Sequence, residues 1–447
     1  MPPTPLRTPR IPVDLLLHAR YVLPIAPQNC VLEDHTVVID QGRIKALRPR
    51  SVAELQFEGA HARDFDHHVI MPGLVNAHGH LAMTLFRGLG EAEPLQTWLQ
   101  DTIWPLEGKW VDADFVADGT RLAIAEMLAT GTTLASDMYY FPEVAAATTQ
   151  EIGFRLQVAF PVIDVANAWS QNVDECIHKG LALHDRFRDD DLVHVAFGPH
   201  AAYSVDEPAL RRVLMLADEV DAGIQIHLHE TAAEVRDAQR LVGKSWIHYL
   251  NELGLVTPRL QAVHVTQADS QEVEVLANGG AHVIHCPHSN LKLASGTCPT
   301  TELLAAGVNV ALGTDGAASN NSLDLFQEMR TAALIAKAST QDPTAAPAPE
   351  MLYAATLGGA KALGLDRLAG SIETGKAADL IAIDLDHIAL QPLYDLQAQL
   401  VHSQIGACVS HTFVDGRCLY DEGTYTTIDV KQLAAGAAAW RTRIADT

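Results

Sequence analysis

Two imidazoles separated by one glycine close the run His68-Val-Ile-Met-Pro-Gly-Leu-Val-Asn-Ala-His-Gly-His80. In an extended backbone, residues two apart point to the same side. His78 and His80 therefore aim two neutral nitrogens at one point, a grip suited to a borderline-soft divalent metal. Gly79 between them removes a Cβ that could crowd the ion. With 21 histidines in the chain, a chance pair is common. The triplet gains meaning from polar clusters further along the chain: Gly198-Pro-His200, Gln225-Ile-His227-Leu-His229-Glu230, Ala262-Val-His264, His285-Cys-Pro-His288-Ser-Asn and Gly313-Thr-Asp315-Gly-Ala-Ala-Ser-Asn320. His227 and His229 share strand parity, so spacing leaves open which of them faces the metal. A single histidine in an apolar strand is usually hydrogen-bonded core, and Asp315-Gly316 is a common turn pair. Independent accidents would scatter such residues over both ends of a fold. Here they close successive apolar runs.

Those runs read as strands at Val69–Asn76, Thr133–Met138, Arg155–Ile163, Leu192–Gly198, Gly223–Leu228, Leu260–Val265, His282–Cys286 and Val308–Gly313. Helical periodicity fills the intervals, as at Asp114–Ala129 and Pro208–Ala222. Strand–helix alternation implies a parallel sheet. Eight such units over roughly three hundred residues fit a (β/α)8 TIM barrel better than an open doubly wound sheet. No Gly-x-Gly-x-x-Gly comes after the first strand, which argues against a nucleotide-binding Rossmann unit. Chemistry in a parallel barrel sits at the carboxyl ends of the strands, where every polar cluster above falls.

The barrel is expected over residues 67–370, in an α/β chain. Residues 1–66 and 371–427 contain short strands and hairpin-like turns, such as Val37-Val-Ile-Asp-Gln-Gly-Arg-Ile44 and Gly370-Ser-Ile-Glu-Thr-Gly-Lys-Ala-Ala-Asp-Leu-Ile-Ala-Ile383. Neither flank alone supplies a core, so the two are expected to pair into one small β-sandwich. A Pro/Ala-rich loop is expected at Gln341–Pro349, and an alanine-rich helix at Val430–Ala445 within the segment 428–447.

Composition narrows the class. The chain has 447 residues, 48% hydrophobic and 19% charged, ordinary globular material. Its 55 acidic against 31 basic residues give a net charge of −24. That disfavours binding to a phosphate backbone and implies no nucleic-acid partner. Cys30, Cys176, Cys286, Cys298, Cys408 and Cys418 are scattered without a Cys-x-x-Cys pair, as in buried free thiols of a reducing compartment. The proline-rich start, Met1 to Arg10, lacks the apolar stretch of a signal peptide, and no segment approaches a membrane span. A cytoplasmic protein without membrane attachment is expected.

Taken together, Pro72-Gly-Leu-Val-Asn-Ala-His-Gly-His80, Gly198-Pro-His200, His227-Leu-His-Glu230, His264, Ser289-Asn-Leu-Lys-Leu293, Gly313-Thr-Asp-Gly-Ala-Ala-Ser-Asn-Asn-Ser322 and Gly375-Lys-Ala-Ala-Asp379 resemble the amidohydrolase superfamily. Within it they are most similar to the branch of 5-methylthioadenosine/S-adenosylhomocysteine deaminases. Chlorohydrolases and guanine or cytosine deaminases are cousins.

The resemblance implies one divalent ion per subunit, zinc in the first instance, held by His78, His80, His227 and Asp315. Its pattern of a ligand histidine with glutamate three residues later selects His227 over His229. Binuclear relatives need a bridging carboxylate or modified lysine, whereas strand four here ends in His200. In the chemistry it implies, metal-bound hydroxide attacks the ring carbon bearing the amine. Asp315 takes the water proton, His264 orients the nucleophile, and Glu230 protonates the neighbouring ring nitrogen. Glu107, in Trp104-Pro-Leu-Glu107, matches a position that accepts from ribose hydroxyls, and His200 one that contacts sugar or base. Ser319 and Trp98 are further substrate-side candidates, while His285 and His288 read as structure. The loop Ile163-Asp-Val-Ala-Asn-Ala-Trp-Ser-Gln-Asn172 lacks the arginines with which some relatives could hold a homocysteine carboxylate, a task suited to bidentate arginine. The expected substrate is therefore 5′-methylthioadenosine or adenosine ahead of S-adenosylhomocysteine. A free-base deaminase or triazine hydrolase is the alternative. Self-association as a homo-oligomer is also implied.

Overall fold

The computed structural model describes residues 10–90, 92–93 and 95–445. The proline-rich start up to residue 9, and residues 446–447 of the expected C-terminal segment, lie outside the described residues. Four strands come first: β1 (Ile11–Val22), β2 (Leu32–Asp40), β3 (Arg43–Pro49) and β4 (Phe57–Pro72). The next eight alternate with helices: β5 (Leu74–Gly79), β6 (Thr132–Asp137), β7 (Arg155–Val162), β8 (Val193–Pro199), β9 (Ile224–Leu228), β10 (Leu260–His264), β11 (His282–His285) and β12 (Asn309–Leu312). The last four are β13 (Leu380–Asp384), β14 (Val409–Val414), β15 (Arg417–Asp421) and β16 (Thr424–Tyr425).

Strands β5 to β12 pair in parallel and in sequence order, the arrangement of a TIM barrel. Their residues are almost all buried, as expected for parallel strands covered on both faces. The seam between β12 and β5 is closed by side chains as well as backbone. Asn76 receives the Thr314 N–H at 2.9 Å and donates to Thr314 Oγ1 at 2.7 Å. The Asp315 N–H then reaches the His78 carbonyl at 3.1 Å. Gly313 permits this approach, since a Cβ there would lie 2.9 Å from the His78 nitrogen.

The expected first barrel strand, Val69–Asn76, divides in two. Val69–Pro72 completes β4 in the flanking sheet, and the barrel strand begins at Leu74. Gly73 is the pivot: a Cβ at this position would lie 2.0 Å from Thr133 Oγ1, so only glycine lets the chain cross β6 this closely. An apolar run buried throughout shows no change of period where it passes from one sheet to the next. The covering helices begin on side-chain caps. Asp112 accepts from Phe115 N ahead of Ala113–Ala129, and Asp206 accepts from Ala209 N ahead of Glu207–Glu219. The expected loop at Gln341–Pro349 is shorter than its composition suggests, because Pro349 lies in the first turn of the helix Ala348–Ala354, where proline costs nothing.

The flanks form one separate sheet in the order β16-β15-β14-β13-β4-β1-β2-β3. It is joined at β13 and β4, whose antiparallel register runs from Leu380↔Pro72 to Asp384↔His68. Leu17, Val37, Ile44, Phe65, Leu380 and Phe413 from both flanks share its core. The β2–β3 hairpin turns on Gln41 and Gly42, with φ of 51° and 72°, the double left-handed geometry of a type I′ turn. The terminal helix Val430–Ala445 lies against Ala113–Ala129, with Trp440 Nε1 donating to Asp118 Oδ2 at 2.9 Å. Among the described residues no helix is long and apolar enough to cross a membrane.

Candidate metal centre

At the carboxyl end of the barrel, His78 on β5, His80 just after it, His227 on β9 and Asp315 after β12 converge. His78 Nε2 lies 3.2 Å from His227 Nε2 and 3.5 Å from Asp315 Oδ1, and His80 Nε2 lies 3.2 Å from the same oxygen. Each imidazole is held from behind by its other nitrogen. His80 Nδ1 meets the Met138 carbonyl at 2.6 Å, His227 Nδ1 the His200 carbonyl at 2.8 Å, and His78 Nδ1 the Gln225 Oε1 at 2.8 Å. A carbonyl accepts only, so these Nδ1 atoms carry protons; the Nε2 of His78 and of His227 then presents a lone pair, while that of His80 faces Asp315 and offers its own once a cation displaces the proton between them.

Two lone pairs facing each other at 3.2 Å beside a carboxylate cannot satisfy one another. They suit a cation. Burial opposes ionisation of Asp315, but its contacts with His78 and His80 outweigh this and hold it well below the usual carboxylate range. The same carboxylate, against the opposing effect of burial, pushes His80 up to about 9. His78 and His227 stay neutral, lowered chiefly by burial. Three imidazoles and one carboxylate are the donor set of a catalytic zinc site with an open position.

Acid/base and polar groups ring this point. Glu230 lies just beyond β9; its Oε2 is 3.7 Å from His264 Nε2, and its Oε1 accepts from Ser295 Oγ at 3.3 Å. Burial, then the charge of Asp315, raise its pKa to about 8, so the carboxyl is protonated at neutral pH. His264 is lowered to about 4 by burial and receives Asn290 Nδ2 at its Nδ1, 3.0 Å away. One of its nitrogens also falls within 4.8 Å of one nitrogen each of His78 and His227. His200 stands beside the centre, its ring 5.1 Å from that of His227, and burial lowers it to about 4. Glu107, on the helix Trp104–Trp110, accepts from Tyr139 Oη at 2.8 Å and is raised to about 7 by burial.

A model of the Amidohydrolase family matches residues 69–419. The chain belongs to that family. It is 46% identical over 98% of its length, and 98% of the relative's, to a 5-methylthioadenosine/S-adenosylhomocysteine deaminase of Saccharophagus degradans. It is 41% identical over 83% of its length, and 87% of the relative's, to a 5′-deoxyadenosine deaminase of Methanothermobacter thermautotrophicus. Among solved structures it resembles an adenosine deaminase of Xanthomonas campestris with bound zinc, at a TM-score of 0.97 and 46% identity, covering 98% of this chain and 100% of that one.

In this amidohydrolase the histidines that spacing left undecided go to different places. His229 has φ 52°, which breaks strand alternation immediately after Leu228. Its ring turns away to the helix Trp246–Glu252, where Nε2 accepts from Ile247 N at 3.4 Å. His288 is fixed between Glu328 Oε1 at 2.9 Å and Thr331 Oγ1 at 2.7 Å, and His285 is enclosed in the barrel. Ser319 lies under Asp315 rather than in an open cleft: it is buried, and its hydroxyl donates to Asp315 Oδ2 at 3.0 Å. Ser289 donates to the same oxygen at 2.6 Å. Trp98 is 5% exposed, packed in the apolar cluster that contains Phe86 and Ile103. Sequence reasoning gave no role to Gln225, Ser289, Asn290 or Tyr139. Gln225 had a signal, since it shares the parity of His227 two residues on.

Proposed function

We propose that this amidohydrolase is a zinc-dependent deaminase that converts an adenosine-type nucleoside and water to the inosine analogue and ammonia. 5′-Methylthioadenosine and adenosine are the favoured substrates. The observation that carries the reading is the pair of opposed Nε2 lone pairs at 3.2 Å, with Asp315 beside them and a protonated Glu230 nearby. The similarity to deaminases of nucleosides over almost the whole chain supports the substrate class. His78, His80, His227 and Asp315 would hold the ion; when bound, it makes water acidic enough to be a nucleophile near pH 7.

The chain's own residues supply the rest. Asp315 accepts a proton from the attacking water. His264, braced by Asn290, orients that water from its Nε2. Glu230 donates its proton to the ring nitrogen next to the carbon bearing the amine. That carbon gains a bond to oxygen and loses its bond to nitrogen. Both water protons leave the oxygen, one ending on the ring nitrogen and one on the departing ammonia. A carboxyl held protonated to about pH 8 is suited to this donation. Glu107 would accept from the ribose diol, with Tyr139 fixing its second oxygen, and His200 would face base or sugar as a neutral donor or acceptor.

The test is ammonia release and ultraviolet shift with 5′-methylthioadenosine, adenosine, S-adenosylhomocysteine and guanine. The nucleosides are turned over and guanine is not. Glu230→Gln lowers kcat by about 10²- to 10⁴-fold with metal content unchanged. Turnover of guanine alone would transfer the site to free bases, and a fully active Glu230→Gln would remove the acid assignment.

A further inference from the structure

The Nδ1 protons of His80 and His227 are held by main-chain carbonyls, which no substitution removes. His78 differs, because its Nδ1 partner is the side-chain amide of Gln225. An amide offers either oxygen or NH2, and whichever faces the imidazole decides which ring nitrogen carries the proton. That choice is made deeper in the barrel. Gln225 Nε2 lies 3.1 Å from the Ala77 carbonyl oxygen, 2.8 Å from Gln261 Oε1 and 3.1 Å from Ser136 Oγ. The Ala77 oxygen accepts only, so the NH2 group belongs on that side and Oε1 must face His78. The His78 proton then sits on Nδ1, and its Nε2 lone pair points into the centre. Gln225 and Ser136 are 0% exposed and Gln261 is 1%, so bulk water does not stand in for any of them.

We propose that Gln225, aligned by Gln261, is the positioning residue that sets the tautomer and ring orientation of His78 and so prepares the centre for its divalent ion. This rests on the reading of His78 as a metal ligand. A partner behind a ligand histidine is worth about 10- to 100-fold in metal affinity. Here that partner is a neutral amide, and it is itself oriented by a second amide.

Zinc affinity measured by competition with a chelator tests the proposal. Gln225→Leu weakens zinc by about 10- to 100-fold, while the KM of the zinc-saturated enzyme for 5′-methylthioadenosine stays unchanged. Gln225→Glu, which keeps an acceptor for Nδ1, recovers most of the loss. Thr412→Val removes a buried hydroxyl of β14 in the flanking sheet, which donates to the Leu128 carbonyl and lies outside this network, and zinc affinity stays within about twofold, below the range for a ligand's partner. Nitrogen-15 spectra of the metal-free protein at about pH 8, above the ordinary histidine range, show His78 protonated on Nδ1 in the wild type and partly on Nε2 in Gln261→Leu. This readout survives if Gln225→Leu does not fold. Unchanged zinc affinity in Gln225→Leu, equal weakening by Thr412→Val, or an unaltered His78 tautomer in Gln261→Leu overturns the proposal. Wild-type protein that binds no zinc would instead overturn the metal reading beneath it.

Discussion

At the scale of residues, the centre separates two kinds of carboxyl by their surroundings. Asp315 lies among imidazoles and stays ionised, whereas Glu230 and Glu107 are partly buried with fewer compensating donors and keep their protons to about 8 and about 7. Glu107 therefore lowers stability as pH rises. Its folded pKa is above the ordinary value of 4.5, so the folded state binds more protons between that value and about 7, and stability falls through this window. Glu107→Gln is expected to be more stable than wild type at about pH 8 by about 1–2 kcal/mol, allowing for the part of the side chain that solvent reaches, with no difference at about pH 4.5. On the proposed function the same variant would also lose a charged acceptor for the diol above about pH 7, so KM for a nucleoside is expected to rise by roughly 10- to 100-fold. Urea midpoints at the two pH values and steady-state kinetics check both halves. Wild-type stability independent of pH across this window would refute the burial argument. Residue types and spacing made the converging histidines and Asp315 legible in the sequence. Spacing could not separate His227 from His229, because the left-handed backbone at His229 that turns it away is a tertiary feature with no glycine to announce it.

At the scale of elements, the site depends on how closely β12 approaches β5. Gly313 lies so near that a Cβ would meet the His78 nitrogen at 2.9 Å and both its Cβ and its carbonyl oxygen at 3.0 Å, atoms with little freedom to move. Gly313→Ala is expected to cost about 1–3 kcal/mol, as overpacked cores do. If His78 holds the ion as proposed, the variant is also expected to weaken zinc, because the strand it displaces carries that residue. Calorimetric zinc titration of folded Gly313→Ala, compared with Gly364→Ala at an open site, checks this; equal zinc affinity in the two would refute it. Glycines of this kind explain what the sequence conceals. The alternation of apolar runs with helical periods made eight parallel strands readable, and the His-x-His end marked the first of them. At Gly73, where β4 hands the chain to β5, the pair Pro72-Gly73 marks a break, but apolar residues on both sides made the boundary between two sheets look like the interior of one strand.

At the scale of the whole molecule, the barrel and the flanking sheet are tied by a buried ion pair as well as by apolar packing. Arg155 opens β7 with its side chain 0% exposed, and Asp379 immediately precedes β13 with 2%. Arg155 donates from Nε to Asp379 Oδ2 at 2.7 Å and from its NH2 group to Oδ1 at 3.1 Å, and it also reaches the Asp191 carbonyl. Asp379 in turn accepts from Asp415 N at 2.8 Å, and its own carbonyl holds Gly73 N at 3.0 Å. One residue thus links three places: its carboxylate holds a barrel strand and the turn between β14 and β15, and its main-chain carbonyl holds the pivot that delivers His78. The sequence showed that the flanks had to meet, since neither could close a core alone. It did not show what fastens them to the barrel: Asp379 stood in a matched motif and Arg155 at the start of an expected strand, but nothing in the sequence joined two residues so far apart. Removing one partner leaves the other charged and buried, which costs about 3–5 kcal/mol. Arg155→Leu is expected to lose that much, and Arg155→Leu with Asp379→Asn to lose less, since the stranded carboxylate is then neutral. Denaturant unfolding of both variants, monitored by tryptophan fluorescence, measures the difference. A double variant no more stable than Arg155→Leu would show that the pair acts through shape alone.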